Sequence, residues 1–251
     1  MEGVIHIRYL SGIFLVGLWL IIKMFRTAKS DEVRIHSCKV SIKEPYTIFF
    51  ISDIHNRLIN DHTLAKIKDV DAVIIGGDLA DRRVSGTKLA KNIKRLQTWG
   101  APIYFIAGNN DHEFKPEPLL SYLRSNGVTP LSNEWTYIGK SGVTLSGIDP
   151  YFSEASIPAL SDSHKVNILV VHEPAILKEF PDYVCDNYNL ILTGHTHGGQ
   201  IRLFGQGPYS RGCWKDGTHT AFLNSEGYGT SLVPLRLGTA PEVHLIRLIP
   251  R

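Results

Sequence analysis

Five short segments hold side chains suited to binding metal ions: Ser52-Asp53-Ile54-His55, Gly76-Gly77-Asp78, Gly108-Asn109-Asn110-Asp111, Val171-His172-Glu173-Pro174 and Gly194-His195-Thr196-His197-Gly198. Asp53, His55, Asp78, Asn109, His172, His195 and His197 offer carboxylate, amide and imidazole donors, with no thiolate among them. That mixture suits Mn²⁺, Fe²⁺ or Zn²⁺. In Asp53-x-His55 the single intervening residue lets both side chains turn to one side and reach one ion. Asp78 follows two glycines, which admit close approach of backbone and carboxylate, and a carboxylate there can bridge two cations. His195-x-His197 repeats the spacing, with imidazoles able to serve different ions. Paired ions about 3.5–4 Å apart clamp the attacking and departing oxygens of an in-line displacement and lower the pKa of bound water. One such segment alone would carry little weight, since an isolated core histidine is more often hydrogen-bonded than metal-bound. Five in series predict a site for two divalent metals.

The elements that must position these residues are short and apolar. Thr47-Ile48-Phe49-Phe50-Ile51, Ala72-Val73-Ile74-Ile75, Ile103-Tyr104-Phe105-Ile106, Ile168-Leu169-Val170-Val171 and Leu190-Ile191-Leu192 each precede one ligand segment. Continuous β-branched and aromatic runs of this length read as strands covered on both faces. Ligands in layered α/β folds sit beyond the carboxyl ends of such strands, so the five segments are expected to converge on one edge of a sheet. Helices are expected at about 61–69, 87–99 and 117–126, where Pro118 and Gly127 punctuate the last. A hairpin is expected over 134–148 around Gly139-Lys140-Ser141-Gly142, and a short helix from Pro174 to Phe180. The glycine-rich stretch 200–248 alternates apolar positions and suits a second sheet.

The order D-x-H, G-D, G-N-x-D, V-H, G-H-x-H over residues 47–198 resembles the calcineurin-like metallophosphoesterases. The resemblance implies a four-layer α/β/β/α sandwich of the α+β or α/β class. It assigns Asp53, His55, Asp78 and His197 to one metal, and a bridging Asp78 with Asn109, His172 and His195 to the other. Gly198-Gly199-Gln200-Ile201, Pro234-Leu235-Arg236 and Pro241-Glu242-Val243 are similar to the membrane-associated bacterial branch, which includes enzymes acting on UDP-diacylglucosamine, a lipid-linked pyrophosphate. Many members carry His after the Asn of G-N-x-D, where it protonates the leaving group or steadies the transition state. Here that position is Asn110, and an amide cannot deliver a proton. Phosphodiesters with acidic leaving groups and pyrophosphates suffer least from that loss, alkyl monoesters most. His112, two residues on, is the candidate replacement. Arg57, two residues beyond a metal ligand, is the first candidate to hold the substrate phosphoryl group, ahead of Arg82, Arg83, Arg202, Arg211 and Arg236. Glu173 and Asp111 are candidates to orient ligand histidines or cap a turn.

Composition sets the frame. Removing the first thirty of 251 residues leaves about 220, enough for one large α/β domain at 31–251. A net charge of +3 is too mild to argue for nucleic acid as a partner and disfavours a nuclease. Cys38, Cys185 and Cys213 show no C-x-x-C spacing, which argues against a disulfide framework. Tyr9 to Ile22 is an uncharged run flanked by Arg8 and by Lys23, Arg26 and Lys29. At 1.5 Å per residue it covers about 21 Å of a ~30 Å hydrocarbon core, and adding Val4, Ile5 and Ile7 with Arg8 snorkelling makes a marginal span. Residues 1–30 are therefore expected to be an uncleaved membrane anchor. A signal peptide cleaved near Ala28-Lys29-Ser30 and a helix lying in the interface are the alternatives. The denser positive charge on the carboxyl side would leave the catalytic domain facing the cytoplasm. The expected function is metal-dependent hydrolysis by a metal-bridging hydroxide attacking phosphorus in line. The expected substrate is a phosphodiester or pyrophosphate, a small phosphate ester or a lipid-linked nucleotide. The rival is a metal-binding scaffold at the membrane that has lost turnover.

Overall fold

A computed structural model describes residues 2–114, 118–139, 142–152, 156, 166–181 and 183–251, with side chains from residue 12 onward. Twelve strands are placed among them: β1 (Glu32–Val40), β2 (Tyr46–Ile51), β3 (Ala72–Gly76), β4 (Ile103–Ile106), β5 (Val128–Pro130), β6 (Glu134–Ile138), β7 (Val143–Ile148), β8 (Val166–Val171), β9 (Leu190–Thr193), β10 (Cys213–Asp216), β11 (Ala221–Asn224) and β12 (Glu242–Pro250). The helices are α1 (Glu2–Lys29), α2 (Asp61–Leu64), α3 (Gly86–Leu96), α4 (Leu119–Ser125) and α5 (Tyr183–Asp186).

Alternation along the strands builds the layers. In β2, Ile48 and Phe50 face one core while Phe49 and Ile51 face another; Ala72 and Ile74 against Val73 and Ile75 do the same in β3. Successive side chains of a strand point to opposite faces, so a strand apolar at every position needs a layer on each side. One sheet runs β1-β12-β2-β3-β4-β5 and the other β10-β11-β9-β8-β7-β6. Between them Ile48, Phe50, Ile74 and Ile106 meet Leu145, Ile168, Val170 and Leu192. Outside the first sheet, Leu89, Ile93 and Leu96 of α3 and Leu119 and Leu123 of α4 cover Phe49, Val73 and Phe105. Outside the second, Ile176 and Val184 cover Leu169, Val171 and Ile191. The result is the α/β/β/α sandwich, with each buried Ile, Leu or Phe contributing about 1.5–3 kcal/mol.

Helix α3 starts where Ser85 accepts from the Lys88 N–H at 3.3 Å and gives way to a 3₁₀ turn ending at Gly100. The helix expected over 61–69 is only Asp61–Leu64. Residues 134–148 form the antiparallel pair β6–β7, though Lys140 and Ser141 at its turn lie outside the described residues, as do Lys115 to Glu117 before α4. The stretch 200–248 divides between the sheets. Strands β10 and β11 join the second, whereas β12 inserts between β1 and β2 of the first, because its apolar residues on both faces fit a central position.

The membrane span is overturned. Among the described residues no helix is long and apolar enough to cross a membrane. The described part of α1 has an uncharged stretch only from Gly12 to Ile22 before Lys23, Arg26 and Lys29 follow; the side chains of Val4, Ile5, Ile7, Arg8 and Tyr9 lie outside the described residues. The expected cell-membrane location and the cytoplasm-facing orientation fall with that span. The end of α1 is instead joined to the domain: Met24 and Ala28 are buried, and the Arg236 N–H donates to the Met24 carbonyl at 3.1 Å.

One ionisable group ties the β12 edge to stability. The Glu242 carboxylate accepts from the Glu226 N–H at 2.8 Å and contacts His244 and Arg34. Burial opposes its ionisation, but His244, that N–H and Arg34 pull its pKa down from 4.5 to about 2. A depressed carboxyl contributes stability that is present above 4.5 and is lost as pH falls through 2. Glu242→Gln is therefore expected to unfold more easily at pH 7, by on the order of 2 kcal/mol. Denaturant titrations of the two proteins should converge as pH approaches 2.

Candidate metal centre

Three ligand segments leave the first sheet and two leave the second, so the site lies on the shared rim of both sheets rather than at the edge of one. Strands β2, β3 and β4 run parallel and present Asp53, Asp78 and Asn109, while β8 and β9, also parallel, present His172 and the His195–His197 loop. Hydrogen bonding continues past the strand ends: Asp53 N–H donates to Gly77 O and His55 N–H to Asp78 O, both at 2.9 Å. Asp53, His55, Asp78, His195 and His197 all adopt positive φ, between 48° and 69°. Left-handed backbone is uncommon outside glycine and clusters where a site is strained for function. Here it bends each loop sharply enough that residues two apart point at one spot. Gly77 at φ 91° packs against His172, whose imidazole a Cβ would overlap.

Five of the seven expected ligands converge. Ligand atoms of Asp53, His55 and His197 lie within 4.8 Å of one another, and so do those of Asp53, Asp78 and His172. Asp78 Oδ2 is 3.5 Å from His55 Nε2 and 3.4 Å from His172 Nε2. Asp53 Oδ1 is 3.4 Å from His197 Nε2. The two remaining residues sit at the rim, where His195 Nδ1 and Asn109 Oδ1 are 2.9 Å apart. The His195 N–H also donates to Asp53 Oδ1 at 3.1 Å.

The donors fit divalent metals. The Nε2 atoms of His55 and His197 face each other at 3.2 Å, close enough for one cation to meet both. His172 Nε2 is buried without a hydrogen-bond partner while Nδ1 donates to Gly76 O at 2.8 Å. That bond fixes the tautomer and aims the free nitrogen at the carboxylates, as outer partners of metal-binding histidines do. Burial would lower the His172 pKa, but Asp78 and Asp53 raise it to about 10. Burial likewise opposes charge on Asp53 and Asp78, yet the surrounding histidines hold both below the usual carboxylate range. A pocket that stabilises cations inside and keeps carboxylates ionised is electrostatically matched to metal ions.

Supporting residues hold these groups. Asp111 accepts from the N–H groups of Gly108, Asp78 and Ala80 at 2.7–2.9 Å, so it orders the Asp78 loop instead of orienting a histidine. Burial, with the charge of Asp78, raises its pKa to about 7. Glu173 lies 3.4 Å from the Tyr151 hydroxyl. Asn110 donates its N–H to Asp78 Oδ1 at 2.8 Å and its side-chain amide to Oδ2 at 2.7 Å. Asp81 was not among the expected residues; its carboxylate is 3.4 Å from His55 Nδ1 and pairs with Arg83. The spacing Asp78-x-x-Asp81 ahead of two arginines was the available signal.

Other expectations are redirected. His112 is exposed in the 3₁₀ turn Asp111–Glu113 and, among the described residues, makes no hydrogen bond or ion pair with the seven ligands. Arg57 points its donors at Lys29 O, Ser30 O, Asp31 and Tyr228 O and stacks on the Tyr228 ring, 4.1 Å from its centroid. It clamps the α1–β1 junction. Arg83 pairs with Asp81, Arg211 with Glu226, Arg202 binds backbone carbonyls, and Arg236 is fully buried. Arg82 alone of the six makes no hydrogen bond or ion pair among the described residues. It lines a cleft of about 240 Å³ with His55, Asp81, Arg83 and Asn110. Among the described residues Cys38 and Cys213 are free thiols.

A rim of ligands at strand ends in a two-sheet sandwich defines a metal-dependent phosphoesterase. The calcineurin-like phosphoesterase family profile matches residues 46–199, and the chain belongs to that family. It is 42% identical to the uncharacterized protein YpbG of Bacillus subtilis (strain 168), over 90% of this chain and 91% of that one. It is 32% identical to an uncharacterized metallophosphoesterase of Helicobacter pylori (strain J99), over 73% of this chain and 52% of the relative. It is also 28% identical to the phosphodiesterase YaeI of Escherichia coli (strain K12), over 82% and 83% of the two chains.

Proposed function

We propose that the chain is a phosphodiesterase or pyrophosphatase using two divalent metals, on a substrate with an apolar part. The observation that carries this reading is Asn110, whose amide is spent on Asp78 and cannot protonate a leaving group. A phosphodiester or pyrophosphate with an acidic leaving group needs no such proton. The YaeI relative, a phosphodiesterase by name, agrees with the preference. Metals held by the seven ligands would supply a nucleophile from water near neutral pH and Lewis acidity at phosphorus.

The chain's own residues do the rest. Asn110 and Asp111 hold Asp78, Gly76 holds His172, and Asp81 holds His55. Arg82, with its donors free beside His55, receives the phosphoryl oxygens. Beyond Arg83, a wall common to both, a second cleft of about 330 Å³ is lined by Ala28, Leu58 and Pro234 together with Arg57 and Lys29. An apolar group attached to the phosphate fits there, which supports a lipid-linked nucleotide among the substrate candidates.

The test compares bis(p-nitrophenyl) phosphate with p-nitrophenyl phosphate on the full chain with Mn²⁺. Faster diester hydrolysis is expected, and a monoester far ahead would refute the reading. Arg82→Ala should raise KM for the diester roughly tenfold and leave metal content unchanged. An unaltered KM would remove Arg82 from the substrate site.

A further inference from the structure

An exposed aromatic ring stands at the metal rim, outside the two clefts already described. Tyr209 is 52% exposed, and its ring centroid lies 6.3 Å from that of His195, with the planes inclined at 67°. His195 in turn meets the His172 ring edge to face at 5.2 Å, so the tyrosine stands on the side of the Asp53, Asp78 and His172 trio. Single exposed apolar side chains are common and need no special explanation. Leu203 and Phe204, on the same loop, are such residues. Tyr209 differs in being exposed and yet fixed beside an expected ligand.

The backbone shows how it is fixed. Arg202 donates from Nη1 to Gly198 O at 2.9 Å and to Tyr209 O at 2.5 Å, and from Nη2 to Gly205 O at 2.7 Å. One guanidinium thereby staples the 205–209 loop onto the turn that carries His197. Gly199, at φ 83°, lets the two backbones meet, since a Cβ there would stand 3.2 Å from Tyr209 O. Two backbone hydrogen bonds between Leu203 and Gln206, at 2.9 and 2.8 Å, close the loop. A tyrosine anchored at its base and bare at its ring offers a large contact area at little cost in conformational entropy. Tyr151, whose ring is also 6.3 Å from a site histidine, His172, packs instead against two apolar cores and serves the fold.

We propose that Tyr209 is a specificity-determining residue whose exposed ring stacks a nucleobase on the His195 side of the substrate phosphorus. A diester or pyrophosphate has a substituent on each side of the reacting phosphorus. The one on the His55 side enters the clefts lined by Arg82, Arg83 and Leu58, and the one on the His195 side meets Tyr209. Among the described residues the tyrosine ring meets the centre only through His195. A group stacked on it therefore stands off from phosphorus, as a base does behind its ribose. Stacking of a base on an aromatic side chain is favourable and tolerant of which base is present. The inference rests on the phosphoesterase reading and adds the class of group bound on one side.

Calorimetric titration of the Mn²⁺-loaded full chain with AMP and with ribose 5-phosphate tests this, because the two ligands share phosphate and sugar and differ in the base. AMP should bind roughly tenfold more tightly. Tyr209→Ala should bring AMP down to the affinity of ribose 5-phosphate, leaving the latter and the Mn²⁺ content unchanged, and Tyr209→Phe should keep the preference. Equal affinities in the unaltered chain, or a preference that survives Tyr209→Ala, would overturn the proposal. An equal loss of ribose 5-phosphate binding in Tyr209→Ala would also overturn it, since the ring would then steady His195 and not the base. Failure of both phosphates to bind the Mn²⁺-loaded chain would overturn the phosphoesterase reading, and this inference with it.

Discussion

Asp78→Asn is expected to abolish metal-dependent hydrolysis while leaving the protein folded. The carboxylate is 1% exposed and lies between His55 and His172 at 3.5 and 3.4 Å. Removing one partner from a buried charged pair costs about 3–5 kcal/mol, which corresponds to roughly 10²–10⁴-fold weaker binding of a cation there. The substitution is nearly isosteric, and an amide oxygen can still accept from Asn110, so the loop that Asp111 orders should persist. Metal analysis, circular dichroism and diester hydrolysis on one preparation separate these effects. Lost activity with a native spectrum and reduced metal content is the expected result. Undiminished turnover would remove Asp78 from the metal centre, and metal-dependent hydrolysis absent from the unaltered chain would leave the metal-binding scaffold as the better description.

Arg57→Ala has the second large effect, and it falls on stability. The guanidinium pairs with Asp31, whose side chain is 5% exposed, and holds the last carbonyls of α1. Loss of one partner leaves the Asp31 carboxylate buried with, among the described residues, Thr63 and Tyr228 as its side-chain donors. On the scale of a broken buried pair this is about 3 kcal/mol, or a drop in Tm on the order of 10 °C for a domain of this size. Scanning calorimetry reads that drop, and an unchanged Tm would contradict the stabilising role of Arg57.

The strands and the loops that follow them are local properties of the sequence. The ligand residues follow apolar strands directly, and two residues on one bent loop share a target whatever the rest of the chain does. Pairing that depends on distant sequence was hidden: β1 lies parallel to β12, more than 200 positions away, and nothing near Glu32 announces it. Separation in sequence also concealed Arg57, since its neighbour His55 suggested substrate while its partners, Lys29, Asp31 and Tyr228, come from elsewhere. Asp81 was legible as a carboxylate three residues beyond a ligand, but its histidine partner lies on another loop. The apolar run near the amino terminus resembled a span, but among the described residues no helix is long and apolar enough to cross a membrane.

The most direct test of the two-metal account is a titration of the chelator-stripped full chain with Mn²⁺ during hydrolysis of bis(p-nitrophenyl) phosphate. The stripped protein should be inactive, and activity should rise to a plateau only as the second equivalent binds. Full activity without added metal, or a plateau at one equivalent, would contradict it.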